Sequence, residues 1–86
     1  MEESVDFEQL NAELGELREA MTLQASEAWH HAAIAKVTQA QEAAKNTDAS
    51  KLMASLRAAG NWTLDVAIKI GVSIATDIIK QSVGLK

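Results

Sequence analysis

No proline interrupts the 86 residues of this chain, and glycine occurs only four times. Proline lacks the backbone donor that a helix needs, and glycine loses the most freedom on entering one, so these residues are what usually stop helices. A chain without the first and with little of the second has few places where a helix must end. The rest is rich in Ala, Leu, Glu, Lys and Gln, all good helix formers, with only three aromatic side chains. The expected fold class is all-α, as one domain over residues 1–86. With no cysteine, neither a disulfide nor a zinc–thiolate site can reinforce so small a core. Close helix packing or self-association must supply the stability instead.

The spacing of apolar residues predicts four helices, over about residues 5–23, 27–45, 49–59 and 62–82, in an antiparallel bundle-like arrangement. Phe7, Leu10, Leu14, Leu17 and Met21 alternate three and four apart, the seam of a helix that packs along one stripe. Ser4 is expected to cap this first helix and Ser26 the second, with Glu27 in the second helix's first turn. The break between them, Thr22 to Ser26, carries neither glycine nor proline and is the weakest of the boundaries. The second helix offers a face made mostly of alanine: Ala33, Ala40 and Ala44, with Ile34 and Val37. Thr47 or Asp48 should cap the third helix, Gly60 should end it in a left-handed conformation, and Asn61 should cap the fourth.

The fourth helix, within NWTLDVAIKIGVSIATDIIKQ, is the most apolar stretch. It has the length of a membrane span, but it carries Asp65, Lys69, Asp77 and Lys80, each costly at membrane depth. On a helical wheel Asp65, Lys69, Ser73, Thr76 and Lys80 gather on one stripe, and apolar residues take the remaining circumference. That pattern predicts a central helix rather than a membrane segment. Ala67, Gly71 and Ala75 recur four apart on the apolar arc, a small-residue row along which another helix could approach closely. The second helix of the same chain and the fourth helix of a second copy are both candidates for that contact. The candidate interface residues are Leu10, Leu14, Leu17, Trp62, Ala67, Gly71, Ala75 and Ile78.

Charge is unevenly placed. Residues 1–27 hold eight acids against Arg18 alone, whereas the remainder carries four acids and seven bases, for a net charge of −4. The acidic balance argues against nucleic-acid binding. The acids of the first helix form either a solvated face or an electrostatic match to the basic remainder. The opening MEESVDFEQ has no basic start and no early apolar run, which points to a cytoplasmic protein. EAWHH, Glu27 to His31, is the one stretch with the look of a site, because Glu27 and His30 stand three apart as in helical di-iron centres. Adjacent histidines diverge by about 100° on a helix and chelate one ion poorly, so neither a metal nor a cofactor is expected. No cysteine, phosphate loop or serine–base pair supports an enzyme.

VDFEQLNAEL (Val5 to Leu14) and AAGNWTLDVAIKIG (Ala58 to Gly71) resemble a small helical module of uncharacterised bacterial proteins. Such modules occur alone or at the C-termini of longer proteins, some beside defence or conflict genes. The resemblance covers most of the chain, rests on a packing pattern, and implies a bacterial interaction module without any catalytic residue. The expected function is non-enzymatic self-association, as a dimer, or binding of a protein partner. Two alternatives are a membrane-active effector that inserts the C-terminal helix and a small acidic inhibitor protein.

Overall fold

The computed structural model describes residues 6–82. They form α1 (Phe7–Gln24), α2 (Ala28–Lys45), α3 (Ala49–Ala59), α4 (Asn61–Ile70) and α5 (Ser73–Ser82). The all-α class is as expected, but the described residues form five helices rather than four. α2 packs against α1 and α3, α5 lies on α3 and α1, and α4 lies on α1 and α5.

Local chemistry explains the helix starts. Asp6 precedes α1 and its carboxylate accepts from Gln9 N–H at 3.1 Å; the expected cap, Ser4, lies outside the described residues. Asp48 does the same for α3, accepting from Lys51 N–H at 3.1 Å. Each bond satisfies one of the donors that an α-helix leaves free at its first turn. Between α1 and α2 the chain turns through an extended Ala25, and Glu27, not the expected Ser26, occupies the N-cap of α2.

The core follows the predicted seam. Leu10, Leu14, Leu17 and Met21 of α1 are fully buried, with Leu52 and Leu56 of α3 and Ile79 of α5. α2 contributes Ala33, Val37, Ala40, Ala43 and Ala44. Alanine buries little area, so α2 contributes close approach while α1, α3 and α5 contribute volume.

The expected fourth helix is broken. Gly71 sits in the left-handed region (φ 77°, ψ 29°) and ends α4. Its N–H donates to Ala67 C=O at 3.0 Å and Ile68 C=O at 3.2 Å, and Val72 N–H donates to Ala67 C=O at 3.3 Å. That is a Schellman closure, in which a left-handed residue satisfies the last carbonyls of a helix. The expected Ala67–Gly71–Ala75 row is therefore not a stripe on one helix: Gly71 is exposed at the elbow, and the alanines are buried on separate helices. Asn61 is the first residue of α4 rather than its cap, because Gly60 (φ 87°) already makes the turn out of α3.

The same closure ends α2, with a threonine in glycine's place. Thr47 has φ 51°; its N–H donates to Ala44 C=O at 3.1 Å, and Asp48 N–H donates to Ala43 C=O at 2.8 Å. A left-handed conformation costs a residue with a Cβ about 1–2 kcal/mol, and β-branching makes it rarer still. Thr47→Gly is expected to stabilise the fold by about 1 kcal/mol, offset in part by glycine's freedom when unfolded. Melting should then rise by roughly 4–8 °C. A melting temperature equal to or below the wild type's would show that Thr47 is not strained.

Candidate functional site

At one end of the fold the first turn of α2 meets the first turn of α4. The start of α2 presents free backbone donors. Ser26 N–H and Glu27 N–H donate to His30 Nδ1 at 3.0 and 3.1 Å. The imidazole thus closes the helix start and is held in one orientation, with Nδ1 as an acceptor. Its ring stacks on Trp62 of α4, centroids 4.1 Å apart and tilted by 36°. Trp29 leans on the other partner of this group, 4.0 Å from His30. Trp29 and Trp62 meet edge to face at 5.7 Å and 76°. Both tryptophans of the chain and one of its two histidines are therefore gathered in one cluster.

The cluster faces outward. Trp29 is 57% exposed, and His30 and Trp62 are half-buried. EAWHH is accordingly a helix-start device that also orients an aromatic surface. His30 Nδ1 is occupied by its two backbone donors, and among the described residues no three His, Asp or Glu side chains gather where they could hold a metal.

Glu13 does not lie on a solvated acidic face, the first of the two readings of the helix's acids. It is only 8% exposed, and its carboxylate accepts from Ala75 N–H of α5 at 2.8 Å. α5 begins directly after Val72, whose side chain has no acceptor to cap a helix. A carboxylate from α1 therefore takes that role from a distance, at the end of α5 where the helix dipole favours negative charge. Glu13 lies three residues after Leu10 and four before Leu17, so it borders the buried seam. That spacing is the signal that could have found it. Glu13→Ala leaves a buried donor without a partner and should cost about 1–3 kcal/mol in urea unfolding. Glu13→Gln keeps an acceptor oxygen and should recover most of that, losing only the charge–dipole part, about 0.3–1 kcal/mol. Equal losses in both variants would refute the hydrogen bond as the cause.

Of the eight residues expected at an interface, Leu10, Leu14, Leu17, Ala67, Ala75 and Ile78 are buried within the chain. Trp62 is half-buried and Gly71 exposed. The structure brings Trp62 together with Trp29 and His30, neither of which the spacing of apolar residues marks as an interface residue. Among the described residues, Leu23, Ile68 and Ile70 are the other large apolar side chains with substantial exposure. Among the described residues no helix is long and apolar enough to cross a membrane. Set against protein-family models, curated proteins and solved structures, the chain finds no match in any of the three.

Proposed function

We propose that the chain is a non-enzymatic helical module that binds another protein, with Trp29, His30 and Trp62 as its docking surface. The observation that supports this reading is Trp29, more than half exposed yet braced by a histidine whose own ring is fixed by two backbone donors. An aromatic surface ordered before contact loses little freedom on binding, and tryptophan is the residue most enriched at binding hot spots. The leucine seam of α1 is occupied within the chain, which favours this end of the fold as the interface. A bacterial, cytoplasmic setting and membership of the uncharacterised helical module belong to the same proposal.

A photo-crosslinking amino acid at position 29 tests it, with position 39 on the exposed side of α2 as control. A discrete protein adduct from position 29 alone is expected; adducts at neither position, or equally at both, would contradict the reading. In the complex so identified, Trp29→Ala should weaken affinity about 30-fold or more, the loss of a hot spot of about 2 kcal/mol. If the captured protein is this chain itself, sedimentation at low micromolar concentration should report a dimer that Trp29→Ala removes.

A further inference from the structure

The segment from Asn61 to Ser82 is bent at one place, and two features hold the bend. One is the left-handed backbone of Gly71 (φ 77°). The other is the bond from Ala75 N–H to Glu13 at 2.8 Å. The glycine is not there for space, because a Cβ built on it would meet nothing within 4 Å. Its requirement is purely conformational. Elsewhere between residues 61 and 82 no proline or second glycine opposes a continuous helix.

Turning Gly71 into the right-handed region joins α4 and α5 into one rod of about 22 residues and roughly 33 Å. In that rod Ala75 N–H must donate to the Gly71 carbonyl, four residues back. One N–H makes one such bond, so the straight helix and the Glu13 bond exclude each other. Straightening therefore releases α5 from α1 and α3. It exposes Ala75, Ile78 and Ile79, which are buried in the bent form, together with the cradle they occupied. These surfaces need cover, and the occupant whose fit is already on display is α5 of a second copy. Each chain then fills the other's cradle and every α5 contact is regained, now between chains. A two-residue elbow, Gly71 and Val72, is too short for α5 to fold back once it is helical. The rod also realigns Ala67, Gly71 and Ala75 along one face, which lets the two rods cross closely between the paired cradles.

We infer that the α4–α5 elbow is a two-state element: bent, the chain is closed on itself, and straight, it exchanges α5 reciprocally with a second copy of itself. The inference rests on the elbow and α5, not on the aromatic surface, and it stands or falls independently of the docking reading above.

Gly71→Ala tests it. The left-handed state disfavours alanine by about tenfold at each elbow, so the dimerisation constant should rise about a hundredfold. Gly71→Asn, which tolerates the left-handed region, should stay close to wild type. Light scattering reads the mass and far-ultraviolet circular dichroism reads the helicity. Single cysteines in this cysteine-free chain separate exchange from simple pairing. Residues 50 of α3 and 81 of α5 border one surface cavity of the bent chain. Mixed chains, one carrying Ser50→Cys and the other Gln81→Cys, should form a disulfide between them only if α5 has crossed over. Glu13→Ala releases the second latch and is read by the same assays, as is the wild type at millimolar concentration. A folded, monomeric Gly71→Ala, or a dimer without the mixed disulfide, would overturn the inference. If Gly71→Ala does not fold, absence of the disulfide from Glu13→Ala and from concentrated wild type overturns it equally.

Discussion

A carboxylate on α1 and a backbone donor on α5 depend on each other. α5 starts after a valine and cannot cap itself, while Glu13 lies beside a leucine seam where an ionised group without a partner would be costly. Their bond answers both needs. It also fixes where α5 begins along α1, and hence which of its residues face the core. Ala75, Ile78 and Ile79 are buried in consequence, against α1 and α3. The left-handed turn at Gly71 is the local half of this arrangement, since it aims α5 so that Ala75 N–H reaches Glu13.

Much of the architecture was legible because it is periodic. The leucine seam of α1, the alanine face of α2 and the bounds of α3 all follow from spacing. Residue type and place narrow the cap of α3 to Thr47 or Asp48, and Asp48 takes it. The break in the C-terminal segment was not, for a physical reason. Residues 62–82 satisfy a helical pattern throughout, and the helix ends only because one glycine adopts a conformation that a continuous helix would equally let it avoid. Hydrophobic periodicity does not distinguish a glycine tolerated in a helix from one that ends it. The role of Glu13 is not legible in the pattern, because its partner is a backbone N–H far along the chain, and backbone donors leave no mark on sequence pattern.

The aromatic cluster illustrates a related limit. EAWHH has the residue types of half a di-iron motif, but adjacent histidines point apart on a helix. What residue types do not convey is that His30 turns back to accept from the two preceding backbone donors. That local bond orients the ring, and the oriented ring then receives Trp62 from a helix that starts more than thirty residues later. A capping interaction worth about 1 kcal/mol thereby decides how an aromatic surface is presented.

Among the described residues, the side-chain hydrogen bonds span four positions or fewer, with one exception: Glu13 to Ala75, across 62. That asymmetry has a temporal consequence. α1, α2 and α3 pack as neighbours in sequence and can assemble as each is made, whereas α5 arrives last. Synthesis at about 5–20 residues per second places roughly 3–12 s between the making of the Glu13 carboxylate and that of the donor it awaits. For that interval the nascent chain carries an open cradle with an acid at its rim, and the order of translation, rather than the stability of the finished fold, sets how long it stays open.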